Sequence, residues 1–139
     1  MDIQRVEFLT FLDTRGITDV VSELLANFVT LVHSDTQTIQ ITVESGFITD
    51  FASVPKIPFA YLLFGGIGNY PAVTHDGLYS ISSKVEVIDI ETGAPFVVTR
   101  QWADEVFKAG LIERGIPTYK VNLMYWAVRL KGDSFYKKS

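Results

Sequence analysis

Hydrophobic residues change their period about halfway along the chain. Over residues 38–43 the alternation is strict: Ile39, Ile41 and Val43 on one face, Thr38, Gln40 and Thr42 on the other. That period of two predicts a strand with one wet face. Residues 25–33, with the β-branched and aromatic run Phe28-Val29-Thr30-Leu31-Val32, predict its hairpin partner, and Ser34-Asp35-Thr36-Gln37 the turn between them. Looser alternation over 3–12 predicts a first strand, and Gly16 marks a turn. Between 17 and 32 the pattern is ambiguous at its start, since Val20, Val21, Leu24 and Leu25 also fit a short helical face.

From Tyr70 onward the spacing turns helical. A first helix is expected from Tyr70-Pro71 to about Ser80, with proline in the first turn, where its missing N–H costs nothing. Thr99 is placed to cap a second helix over 100–114, whose stripe is Trp102, Ala103, Val106, Phe107, Ala109 and Leu111; Gly115 stops it. After Ile116-Pro117 a third helix over 118–130 directs Val121, Leu123, Met124, Ala127, Val128 and Leu130 inward and closes at Gly132. Between the first two helices, β-type runs at 84–90 and 95–98 flank Glu91-Thr92-Gly93-Ala94 and predict an inserted β-hairpin. Ahead of the first helix, Pro55 and Pro58 impose an extended connector, 59–64 is wholly apolar, and Gly65, Gly66 and Gly68 permit a tight loop.

The resulting expectation is an α+β fold, N-terminal antiparallel β strands followed by three helices, with a β-hairpin inserted between the first two. One domain over 1–139 is expected, with a β-rich part at 1–58, a helical part at 59–132 and a tail at 133–139. At 139 residues and 47% hydrophobic, such a chain has the means to bury about two-thirds of its unfolded surface. A formal charge of −4 with pI near 5.1 gives no basic footprint for nucleic acid, so none is expected as a partner. Without cysteine the fold cannot rest on disulfides or thiolate metal sites. No basic leader and no apolar run near 18 residues is present, so neither a signal peptide nor a transmembrane segment is expected, and folding is expected in the cytoplasm of whatever cell expresses the chain.

Chemistry concentrates on the first helix. One of only two histidines, His75, stands beside Asp76, with Tyr79 one turn on. The second helix carries Asp104, which is expected to meet the His75 ring and hold one tautomer. Two readings stay open: His75 as a general base, or His75, Asp76, Asp104 and Tyr79 as a satisfied polar cluster pinning two helices together. Asp50, ahead of the proline connector, is either a backbone cap or a ligand. His33 is expected to be solvated, and Trp102, Phe107, Tyr125 and Trp126 to lie in the core.

Four segments in order, Thr49-Asp50-Phe51-Ala52-Ser53-Val54-Pro55, Ala72-Val73-Thr74-His75-Asp76-Gly77-Leu78-Tyr79, Ala103-Asp104 with Phe107, and Met124-Tyr125-Trp126-Ala127-Val128-Arg129 with Gly132, resemble the domain-of-unknown-function family numbered thirteen fifty-three. The resemblance spans about residues 25–132. Its members are encoded mainly by tailed bacteriophages and prophages, which implies a virion or tail-assembly component with other phage structural proteins as partners. It also implies a place in the host cytoplasm during assembly and then in the virion tail. A second resemblance is to secreted phospholipases A2 and their viral capsid version. It implies His75 as base, Asp104 as orienter, Asp76 with the loop carbonyls of Gly66 and Gly68 as calcium ligands, and a lipid or envelope ester as substrate. This chain departs from those enzymes in lacking the interhelix disulfides and in carrying a β insertion between the helices. One histidine and two aspartates are a thin ligand set for zinc, which fits a cell-wall metallohydrolase less well.

Overall fold

The alternation at 38–43 becomes one of the central strands of an antiparallel sheet. In the computed structural model, which describes residues 2–18, 21–49 and 69–131, the elements are β1 (Ile3–Phe8), β2 (Thr14–Gly16), β3 (Ser22–Leu24), β4 (Phe28–Ser34), β5 (Thr38–Val43), β6 (Ile48–Thr49), α1 (Asn69–Tyr79), β7 (Val85–Asp89), α2 (Arg100–Glu113) and α3 (Thr118–Lys131). The larger sheet has the order β1-β4-β5-β7, with every pair antiparallel. The register Phe28↔Val43, Thr30↔Ile41 and Val32↔Ile39 puts all six side chains on one buried face, while Leu31, Gln40 and Thr42 occupy the wetter one.

α1 and α2 cover the buried face. α1 is buried almost all round because it lies between the sheet and α2, with Ala72, Val73, His75, Gly77 and Leu78 among its buried residues. The close approach to the sheet requires Gly77, since a Cβ there would stand 3.0 Å from Val43 Cγ2. Gly110 does the same on α2, where a Cβ would meet Pro71 Cβ at 2.8 Å. Thr99 caps α2 as its sequence position implied, its Oγ1 accepting from the Trp102 N–H at 3.1 Å. At the other end Gly115 takes φ +81°, and Ile116 N–H returns to the Leu111 carbonyl at 3.1 Å, a closure that tucks Ile116 under a second apolar cluster of Ala72, Phe107, Leu111, Val121, Met124 and Val128. That cluster is where α3 docks.

The structure corrects several expectations. Of the hairpin expected between α1 and α2, only the first arm is a strand: β7 extends the larger sheet beside β5, and its expected second arm is reduced to a short bridged contact on its other edge. Residues 94–96 touch it through the Ile88↔Pro95 bridge and two bonds of 2.9 Å, Asp89 N–H to the Ala94 carbonyl and Phe96 N–H to the Val87 carbonyl, before the chain reaches the Thr99 cap of α2. A small sheet, β2-β3-β6, also forms, and its central strand β3 lies in the stretch whose period was ambiguous. Leu123 and Leu130, expected inside, are 46% and 78% exposed, and Trp126 is 61% exposed. The reason is position: α3 packs on α2 at the margin of the layer, so only one of its faces is covered. His33 is half-buried rather than solvated, its Nε2 2.9 Å from Glu7 Oε1. The proline connector and glycine loop at 50–68 and the tail at 133–139 lie outside the described residues.

Candidate functional site

His75 and Tyr79 are one turn apart on α1 and so project from the same face. Opposite them α2 presents Asp104, which stands on the buried stripe between Ala103 and Val106. The three side chains meet on one oxygen: His75 Nε2–H donates to Asp104 Oδ1 at 2.7 Å, and the Tyr79 hydroxyl donates to the same atom at 2.5 Å. The second oxygen, Oδ2, accepts from Arg129 Nη1 at 2.8 Å. The His75 ring lies against Tyr79 and Phe107, with centroid distances of 4.2 and 4.9 Å. His75 and Asp104 are both fully shielded from solvent.

A carboxylate taken out of water needs a counter-charge and donors for its lone pairs, or it would bind a proton. Arg129 supplies the charge from α3, and it is held there by another arginine. Arg100, at the start of α2, donates through Nη2 to the carbonyls of Val128 and Arg129 at 3.2 and 2.5 Å. The last turn of α3 is thereby fixed beside Asp104.

Burial pushes the His75 pKa below its ordinary 6.5, against the pull of Asp104, so the ring is neutral at pH 7. Burial also works to raise Asp104, but the bonds from His75, Tyr79 and Arg129 outweigh it and hold the carboxyl below the usual range. Tyr79 is pushed far up, first by burial and then by its carboxylate partner. The resting state is therefore a neutral imidazole with Nε2–H on Asp104, an ionised aspartate, a protonated tyrosine and a paired guanidinium. A neutral imidazole whose N–H is held by a carboxylate carries its acceptor lone pair on Nδ1, the chemistry of an oriented general base.

Asp76 points away from this cluster. It accepts from Thr49 Oγ1 at 2.6 Å and lines a separate cavity of about 500 Å³ beside Phe47, Ser80 and Lys84. Among the described residues no group of three histidine, cysteine, aspartate or glutamate side chains is arranged to hold a metal ion. Asp50, Gly66 and Gly68 lie outside the described residues. The structure thus brings His75, Tyr79 and Asp104 together and sets Asp76 on a different wall.

Sequence reasoning missed Arg129 and Arg100. Only part of the signal was available: a carboxylate on an apolar helix stripe demands a cation, but α3 offers Lys120, Arg129 and Lys131, and helical spacing alone does not single out Arg129.

A family model described as "Protein of unknown function (DUF1353)" matches residues 23–128. No curated protein and no solved structure matches the chain.

Proposed function

The chain belongs to the DUF1353 family, and for this member we propose a docking role: a component of a phage particle or of its tail-assembly machinery that works by binding another protein. One observation carries the reading. Tyr119, Leu123, Trp126 and Leu130 form a continuous outward stripe on α3 and are 64%, 46%, 61% and 78% exposed. Single exposed apolar residues are ordinary, but four large ones in a row mark a surface that is covered in use. The phage and tail part of the proposal rests on the resemblance carried by the four ordered motifs, and on this reading the chain is in the host cytoplasm during assembly and in the particle afterwards. The test is a Leu123→Glu/Trp126→Glu variant produced in cells making the particle. It is expected to fold as the parent does and to be missing from purified particles by mass spectrometry. Incorporation equal to the parent would end the reading.

A second reading is favoured by a different observation. Asp104 Oδ1 receives both the His75 N–H and the Tyr79 hydroxyl, the arrangement of an imidazole held ready to take a proton from water as that water adds to an ester carbonyl. In this reading the chain is a calcium-dependent ester hydrolase, with Asp76 and the carbonyls of Gly66 and Gly68 as ligands and a lipid or envelope ester as substrate. Full burial of His75 weighs against it, because the nucleophilic water must reach the ring. Calcium titration followed by melting temperature, with a fluorogenic phospholipid assay beside His75→Gln, tests it. No thermal shift and equal background for both proteins would remove it.

A further inference from the structure

Between the start of β1 and the outer side of α2 lies a cavity of about 650 Å³ that shares no lining residue with the one beside Asp76. Residues 2–5 form one wall. α2 forms the other, which runs for about 18 Å from Gln101 to Glu113. The volume is that of a small-ligand site.

Trp102 marks this space as more than a packing gap. It stands on the wall, only 8% exposed, and its indole N–H is enclosed without a hydrogen-bond partner. Phe96 packs against the ring, centroids 4.6 Å apart, and supplies no oxygen. An indole donates and cannot accept, so this group calls for an oxygen from outside. The Gln101 amide lies beside it in the first turn of α2, where N–H groups have no partner within the helix and carry the positive end of its dipole. No acidic residue stands in that turn to take the place of a ligand.

The lining decides which oxygen. It sets Asp2, Glu105 and Glu113 against Arg5 and Lys108, a net −1 on a chain of net −4, so a carboxylate or phosphate is disfavoured and a neutral carbonyl is not. Three of these five charges are already engaged: Arg5 by Glu7 at 3.4 Å, Lys108 by the Tyr125 ring at 5.0 Å, and Glu105 by the Tyr125 hydroxyl at 2.6 Å. The side chains of Asp2 and Glu113 have no ion pair or hydrogen bond among the described contacts, which leaves the cavity short of a cation. Ile3, Ala109 and Ile112 add apolar surface. The strand wall is the side that yields to admit a ligand, because the register of β1 with β4 shifts between Ile3 and Arg5 and leaves Gln4 out of the ladder.

We infer that this cavity binds an amide carbonyl joined through an apolar stem to a basic group, the chemistry of a lysine-bearing peptide segment or of a small acylated diamine. The carbonyl accepts from the Trp102 indole, with the Gln101 N–H beside it, and the ammonium group pairs with the carboxylates of Asp2 and Glu113. The site lies apart from the α3 stripe and stands or falls independently of the docking reading.

The test follows the indole N–H signals of the isotope-labelled full chain by nuclear magnetic resonance during titration with Nα-acetyl-lysine methylamide and, in parallel, Nα-acetyl-glutamate methylamide. Trp126→Phe assigns the two indole signals, since the chain has two tryptophans. The lysine compound is expected to move the Trp102 indole proton downfield, as a new hydrogen bond does, and to leave Trp126 in place. It is expected to bind at least about tenfold tighter than the glutamate compound, with the gap closing as salt is added. Ile112→Lys, at a position 59% exposed and so tolerant of charge, is expected to abolish the response by setting a cation in the cavity. Ile81→Lys, 75% exposed on the α1 to β7 connection, leaves it intact. An acetylated pentapeptide with a central lysine separates the two sources, binding tighter than the single residue if the ligand is a polypeptide and no tighter if it is a small molecule. No movement of the Trp102 signal with either compound, equal affinity for both, or equal movement of both indoles overturns the inference. So does an indole proton whose cross-peak to water survives saturation with the lysine compound, which would make water its only partner.

Discussion

Two regions of this small protein invert the usual rule of polar outside and apolar inside. Between α1, α2 and α3 a histidine, an aspartate and a tyrosine are enclosed; on the outer face of α3 a tryptophan, a tyrosine and two leucines are in water. Neighbouring residues belong to opposite regions, for Arg129 reaches in to Asp104 while Leu130 points out. What differs is satisfaction. Each oxygen of the buried carboxylate has a donor, and the described contacts leave the outer stripe uncovered. Polar groups can be enclosed when every bond lost to water is replaced, and apolar ones can be exposed when something else is to cover them. The largest expected effect breaks the first half of this contrast. Asp104→Ala strands Arg129, His75 and Tyr79 together and is expected to cost about 3–5 kcal/mol in urea unfolding, the scale for removing one partner of a buried charge pair. A loss below about 1 kcal/mol would show that the cluster relaxes into water, and the comparison would fail.

The next effect tests how closely the enclosing helices meet. Gly110→Ala places a methyl 2.8 Å from Pro71 Cβ and 3.2 Å from Phe8 Cζ, where neither ring has a flexible end to give way. Helix propensity alone would make the change favourable by up to about 1 kcal/mol. Overpacking is expected to win, with a net loss of about 1–3 kcal/mol. A stabilised variant would mean that α1 and α2 can separate without penalty.

A third effect comes from protons. The folded His75 has a lowered pKa, so the unfolded chain takes up a proton first as the pH falls below about 6.5. The stability contributed by the neutral ring is present above that pH and is lost on the way down to the folded value, at up to about 1.4 kcal/mol per pH unit. Asp104, also lowered, adds its own loss further down, below the ordinary aspartate value of 3.8. Unfolding measured from pH 7 to 5 is expected to show the first loss, and His75→Gln to flatten it. A flat parent profile would mean that the ring is not neutral and enclosed.

How far the chain announced this arrangement depends on the interaction at stake. The strict alternation at 38–43 and the Thr99 cap are local signals, and the structure has both where they were read, β5 at Thr38–Val43 and α2 beginning at Arg100. The meeting of His75 with Asp104 was also legible, because a histidine and a carboxylate on two successive apolar helices have few other places to go. Nonlocal pairings were not legible. Nothing within 84–90 says that this run will also pair with β5, and the three-residue strands β2 and β3 are too short to show a period. The α3 error is the most instructive. Leu123 and Leu130 looked inward because they are apolar, yet a helix with apolar residues on two faces has a period that cannot tell which face meets its own core and which meets a partner.

The smallest effect on stability follows from that error and gives the second half of the contrast its measure. Leu123 and Met124 are adjacent, but they sit about 100° apart on α3, and one is 46% exposed while the other is 1% exposed. Met124→Ala opens a hole in the cluster with Phe107 and Leu111 and is expected to cost about 2–5 kcal/mol. Leu123→Ser removes a side chain that touches mostly water in the isolated protein, so its expected cost is within about 0.5 kcal/mol of zero. If the outer stripe is there to be covered, that change should leave urea unfolding almost untouched and register only when the partner is present. A cost for Leu123→Ser approaching that of Met124→Ala would mean that the stripe already serves the fold, leaving the isolated chain with no surplus apolar surface to offer.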